Sequence, residues 1–138
     1  MRAVFDPNVL IAALLSPGGA PAQLVSRWLA GELELIVSEC LLVELERALA
    51  YPKLRARIPA PDAQQLVSSL RRAARVAADP PEPPRRCADP GDDFLLALAE
   101  SERALLVSGD RHLLELAGDL PVRSARDFLE ALEAGARP

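Results

Sequence analysis

A chain of 138 residues, half of them hydrophobic and few aromatic, carries enough apolar surface for one globular core, and it reads as a single domain over 1–138. No apolar run approaches the ~20 residues of a membrane span, and the N-terminus lacks the apolar stretch of a signal peptide, so neither a membrane nor a secreted protein is expected. The net charge of −4 counts against a nucleic-acid partner, yet residues 47–86 hold nine basic against three acidic side chains, and the rest hold seven against seventeen.

Apolar runs of strand length alternate with helix-period segments along the chain. The first run, 2–5, stops at Asp6-Pro7-Asn8, and an apolar helix over 9–15 follows until Ser16-Pro17-Gly18-Gly19 breaks it. A second helix is predicted over 21–30, with Leu24, Trp28 and Leu29 on one face and Gly31 as its stop. Residues 35–37 form a second strand, after which Ser38 caps a helix over 39–50 that Pro52 ends. Residues 60–78 give a further helix carrying Leu66, Val67 and Leu70. The stretch 79–86, DPPEPPRR, is a proline-rich loop too short to link two domains. Asp89-Pro90-Gly91 turns into a helix over 92–102, and a strand over 105–107 leads through Ser108-Gly109-Asp110 to a short helix ending at Leu116. A strand at 122–123 precedes a closing helix over 125–134. This alternation predicts a three-layer α/β/α fold with a mainly parallel sheet of four to five strands.

In such folds, ligands gather outside the carboxyl ends of the strands. Asp6 follows the first strand and Asp110 the third. Asp92 and Asp93 open a helix that reaches the same rim, as does Glu44 beside the stripe of Leu41, Leu45 and Ala48. Carboxylates gathered at one rim raise one another's pKa, a cost that a divalent cation relieves. All-oxygen ligands favour Mg²⁺ or Mn²⁺ over zinc, and Cys40 and Cys87 lack the CxxC spacing of a zinc site and suit a reducing cytoplasm. An acidic, metal-loaded rim suits an anionic phosphate substrate.

Plainer roles compete with these. Asp6 and Asp110 sit where Asp commonly starts a loop, but their matched strand-end positions favour a site. Of Asp92 and Asp93, one is expected to cap the helix and the other to serve the rim. Glu46 flanks the same stripe as Glu44 and makes that position less distinctive. His112 reads as solvated or capping, and the 16–19 turn lacks the lysine of a phosphate-binding loop. Basic residues such as Arg55, Arg57, Arg71, Arg72 and Arg75 are usually a wet helix face, but their excess over acids tips the reading toward RNA or DNA contact.

Four pieces, VFDPNVLIAALLSPGGAPAQLV, ELIVSECLLVELERAL, DPGDDFLLALA and LLVSGDRHLLEL, run in order over essentially the whole chain. Together they resemble the PIN domain, in particular its VapC-like toxins of bacterial toxin–antitoxin systems. The resemblance implies an endoribonuclease dependent on Mg²⁺ or Mn²⁺. Asp6, Glu44, Asp93 and Asp110 match the family's acids, with Asp92 as the alternative to Asp93, and the aspartates would hold the metal. Asn8 and Ser108 match residues that support those acids. An RNA substrate, an antitoxin partner, a homodimer and a cytoplasmic location are implied with them. The chain departs from the family at Pro7, where Thr is commoner, and at His112, where many relatives carry a further Asp. Those departures favour the competing expectation, a non-catalytic module that binds RNA or an antitoxin peptide. An aspartyl-phosphate phosphatase fits less well, because Asn8 stands where a second aspartate is needed.

Overall fold

The run Arg2–Phe5 forms β1 and lies at the centre of a sheet, with Ala3, Val4 and Phe5 buried as a strand covered on both faces requires. In this computed structural model, which describes residues 1–83, 85–87, 89–116, 118 and 120–136, β1 pairs in parallel with β2 (Glu34–Ser38) and with β4 (Leu105–Val107). Pro84, part of the expected proline-rich loop, lies outside the described residues. The edges are β3 (Arg75–Ala77) and β5 (Val122–Arg123), giving five parallel strands in the order β3-β2-β1-β4-β5.

Parallel neighbours need crossovers, and helices on both sides of the sheet supply them. They are α1 (Pro7–Leu15), α2 (Ala20–Leu29), α3 (Glu39–Leu49), α4 (Pro52–Arg55), α5 (Ala60–Ala73), α6 (Pro90–Ser101), α7 (Arg111–Glu115) and α8 (Ala125–Ala136). The chain winds outward from β1 to β3, then returns to the other side of β1 with β4 and β5. That reversal opens a crevice between the carboxyl ends of β1 and β4, where ligands bind in such sheets. The core is aliphatic apart from Trp28 and an edge-to-face pair, Phe5 and Phe128, whose ring centres are 6.4 Å apart. No single helix among the described residues is long and apolar enough to cross a membrane.

Caps explain most boundaries. Ser38 is extended and accepts the Leu41 amide at 3.3 Å, which starts α3 as expected. Gly31 ends α2 at φ +82°, a conformation that costs other residues. Two expectations need correction. The helix over 60–78 stops at Ala73, and Ala74 turns extended so that Arg75–Ala77 becomes a strand. Its pairing with Ile36, Val37 and Ser38 is long-range, and only Ala77 is buried, so no local apolar pattern marks it. The helix expected over 92–102 starts at Pro90, because Asp89 caps it and proline suits its first turn.

Gly31→Ala is expected to cost about 1–2 kcal/mol by forcing a side chain into the left-handed region. Gly18→Ala, where a Cβ meets nothing within 4 Å, should stay within about 0.5 kcal/mol of the parent in the same urea titration.

Candidate active site

The amide of Asp6 still bonds to the Val107 carbonyl at 2.9 Å, so Asp6 stands at the tip of β1 beside the end of β4. Pro7 bars it from the helical region, and its φ of −51° and ψ of 137° keep it extended. The carboxylate is buried, with Oδ1 accepting the Asn8 amide at 3.0 Å and Oδ2 accepting the Ser108 hydroxyl at 2.9 Å. Ser108 is itself wholly buried, and its Oγ accepts the Asp110 amide at 3.0 Å. One hydroxyl therefore ties together the two strand ends that carry Asp6 and Asp110. Asp110 caps α7, its Oδ1 accepting the amides of His112 at 2.8 Å and Leu113 at 3.2 Å. His112 enters this arrangement through its backbone, and its ring is exposed.

On α6 the cap is Asp89, whose Oδ1 accepts the Gly91 amide at 2.9 Å. The expectation that Asp92 or Asp93 caps this helix is thereby corrected: both lie in its first turn, about 100° apart around the axis. Asp92 lines a cavity together with Asp6, Asp89 and Asp110. Asp93 turns inward and is only 1% exposed. Its Oδ1 accepts the amides of Arg86 and Cys87, both at 2.9 Å, and its Oδ2 lies 3.4 Å from Arg85 Nε. Asp93 thus fastens the end of the proline-rich loop to α6, and the cavity receives Asp92.

The cavity has a volume of about 730 Å³ and runs from the strand ends between α3 and α6. From the α3 side it is lined by Glu39, Glu44 and Asp79, the last accepting the Cys40 amide at 3.2 Å. Among the described residues Arg47 is the only basic one lining it, and it pairs with Glu44 at 3.3 Å. Asn8 lines the cavity as well. The sequence reading missed Asp89 and Asp79 as cavity residues. An Asp-Pro pair before a helix period is a recognisable cap, so Asp89 had a signal. Asp79 had none, because its approach to α3 follows from the pairing of β3.

Burial raises the pKa of Asp6, the Asn8 amide and Ser108 hydroxyl lower it, and Asp110 and Asp89 raise it again, leaving it above the ordinary value. Asp92 is pushed up to about 6 by burial first and then by Asp110, Asp89, Asp6 and Asp93. Asp93 behaves oppositely. Burial raises it too, but the Arg86 and Cys87 amides, the Cys87 thiol and Arg85 together hold it below the usual carboxylate range. Two disfavoured charges facing one crevice are what a divalent cation would relieve. The donors are hard oxygens, which fits Mg²⁺ or Mn²⁺ in charge and chemistry. Among the described residues no three such groups converge tightly enough to enclose an ion, so the carboxylates line an open cavity instead of a closed cage.

The five arginines expected at a nucleic-acid surface separate into two groups. Arg71 is held by Glu39 at 2.8 Å and Glu46 at 3.1 Å, and Arg75 by Glu102 at 2.9 Å near the amino ends of the strands, away from the cavity. Arg55, Arg57 and Arg72 are exposed and make no ion pair among the described residues, as does Lys53 beside them.

Fold and site together define a doubly wound α/β protein with an acidic crevice at the reversal of its sheet. The model of the PIN domain family matches residues 2–112, and the chain belongs to that family. PIN domains are generally nucleases and generally use divalent metal ions. The chain is 23% identical over 143 residues to the uncharacterized protein MJ1680 of Methanocaldococcus jannaschii, an alignment that covers 96% of this chain and 92% of that one. Its fold is similar to that of PAE2754 from Pyrobaculum aerophilum, with a TM-score of 0.67 and 21% identity over 97% of this chain and 90% of that one. It is also similar to a domain of a functionally unknown protein from Methanocaldococcus jannaschii, with a TM-score of 0.55 and 14% identity over 89% of each.

Asp92 titrates in the fold above its unfolded value near 3.9, so its charge destabilises the fold above about pH 6 and has no such effect below about pH 4. In metal-free buffer, Asp92→Asn is expected to be more stable than the parent at about pH 7.5, with the advantage vanishing as pH falls through that window. Equal gaps in urea titrations at both ends of the window would contradict this. Ser108→Ala should cost about 1–3 kcal/mol in the same assay, because it strands a buried carboxylate oxygen and the Asp110 amide.

Proposed function

We propose that this PIN domain is a metal-dependent endoribonuclease that hydrolyses RNA phosphodiester bonds. The observation that carries this reading is that Asp6, Asp92 and Asp110 line one cavity beside the strand ends, with two of the three held above their ordinary pKa. These three would hold the cation, with Glu44 and Asp89 on the same cavity. When bound, the cation supplies Lewis acidity, offsetting charge on phosphate oxygens and acidifying water.

The chain's own residues do the positioning. Pro7 keeps Asp6 extended, while the Asn8 amide and Ser108 hydroxyl fix one oxygen each. The Asp110 amide on Ser108 Oγ holds the second aspartate in step with the first. Asp92, with its pKa pushed up to about 6 by burial and like charges, has to be ionised to serve as a ligand. Glu44 stands across the cavity, oriented by Arg47, where it can take a proton from attacking water. Lys53, Arg55, Arg57 and Arg72 are assigned to phosphate contact, so binding should weaken steeply with salt. The motifs' resemblance to VapC-like toxins supports a role as the toxin of a toxin–antitoxin pair, active as a homodimer and restrained by an antitoxin protein.

The test is cleavage of an unstructured RNA oligonucleotide with Mn²⁺ or Mg²⁺. Asp6→Asn and Asp92→Asn should each lose at least about 100-fold in activity while staying folded. Asp93→Asn, which keeps an oxygen for the Arg86 and Cys87 amides, should remain within about ten-fold of the parent and lose stability instead. An inactive Asp93→Asn beside an active Asp92→Asn would return the ligand role to Asp93. A folded parent that cleaves no RNA and binds neither ion by calorimetry would leave a non-catalytic binding module.

A further inference from the structure

Phe94 is an aromatic ring left open on the wall of a cavity crowded with carboxylates. It is 37% exposed, whereas the other two phenylalanines, Phe5 and Phe128, are packed edge to face in the core. On the same helix Leu95 and Leu98 line the cavity, and Val43, 44% exposed, faces it from α3. The cavity therefore has two chemistries: an acidic floor at the strand ends and an apolar wall on α6 that continues across to α3. Its volume of about 730 Å³ is in the range that holds a whole organic ligand, not only an ion and a phosphate group.

We infer that Phe94 is a stacking platform for an unpaired nucleobase next to the scissile phosphate, an inference that rests on the ribonuclease reading above. A ligand whose phosphate sits over the acidic floor also presents its neighbouring group to the wall, which suits a flat and uncharged one. A nucleobase is such a group. Apolar ligands that carry their own carboxylates are repelled by the seven acids around the cavity, whereas a neutral base is not. Helical placement fixes the backbone that carries the ring, because Phe94 lies in the second turn of a helix whose start is capped by Asp89. Stacking on such a ring tolerates any sequence, since every base has a π face. It does require a base free of its own helix stack. The platform thus selects single-stranded or looped RNA and favours purines, whose rings are larger.

Kinetics on an oligonucleotide, with a single abasic nucleotide walked along it, test this. Phe94→Ala should lower kcat/KM by about 5- to 150-fold, mainly through KM, and Phe94→Trp should restore it. In the parent, one abasic position should reproduce that loss, and the same position should add nothing in Phe94→Ala. Equal losses from Phe94→Ala on the intact and the abasic strand would overturn the platform, as would no loss at all. A dimer by sedimentation that dissociates in Phe94→Ala would also overturn it, because the ring would then be covered by a second copy. Should the parent cleave nothing, Phe94→Trp with every carboxylate intact separates the two ideas, with buried Trp28 as a constant background. Quenching of its fluorescence by oligoadenylate in Mg²⁺, and not by an abasic strand, would keep the platform without the catalysis. Absence of quenching would remove both.

Discussion

The acidic cavity depends on one buried hydroxyl. The parallel register that sets Phe5 opposite Val107 brings Asp6 and Ser108, the next residue of each strand, to the same rim, and Asp110 follows two residues further on. Asp6 and Asp110 thus share one end of the sheet by topology, whatever their charges prefer. Ser108 Oγ answers this by donating to Asp6 Oδ2 while accepting the Asp110 amide. A hydrogen bond to a carboxylate is among the stronger kinds, and here both partners are buried. The bond lowers the Asp6 pKa, but burial outweighs it, so the carboxyl still titrates above its ordinary value.

A second constraint divides two adjacent aspartates between opposite tasks. Asp89 and Pro90 set the first turn of α6, and that phase alone decides which side chain meets the cavity. Asp92 receives burial and like charges without compensating donors, so its charged form is disfavoured. Asp93 receives two amides and an arginine, so its charged form is favoured despite deeper burial. The divergence follows from what each faces: one carboxylate meets burial and like charges, and the other already has its partners. The same anchoring keeps the proline-rich loop in place, with Arg86 paired to Glu100 at 3.1 Å on the outer side of α6.

What was legible in the sequence was local. The strands at 2–5, 105–107 and 122–123 emerge with the bounds their apolar runs predict, and Gly31 and Ser38 act as the stop and the cap their residue types suggest. What escaped was set by long-range partners. Strand β3 owes its existence to β2, nearly forty residues earlier, and looks from its own residues like the end of a helix. Arg71 and Arg75 read as free cations until Glu39 and Glu102 are brought to them by the fold. The motif match placed the third acid at Asp93, one position from the residue that lines the cavity, because spacing alone does not report the phase of a capped helix. Among three aspartates in DPGDD, only the Pro90 that follows Asp89 distinguishes the cap.

These constraints account for the division of charge along the chain. A cavity with seven carboxylates and one arginine repels a polyanion, so in the ribonuclease reading the site cannot attract its own substrate before a cation loads it. Attraction has to come from elsewhere on the surface. Lys53, Arg55 and Arg57 stand on and just beyond the single turn of α4, past the end of α3, which borders the cavity from Glu39 to Ala48. An exposed tyrosine, Tyr51, accompanies them. Phosphate contacts at this outlying turn would hold a flexible strand while its scissile bond enters the acidic rim, and only the cation would make that entry favourable. In that reading, separating attraction from chemistry would let the rim remain acidic enough to hold a cation, because no arginine would need to sit among its ligands and compete for them.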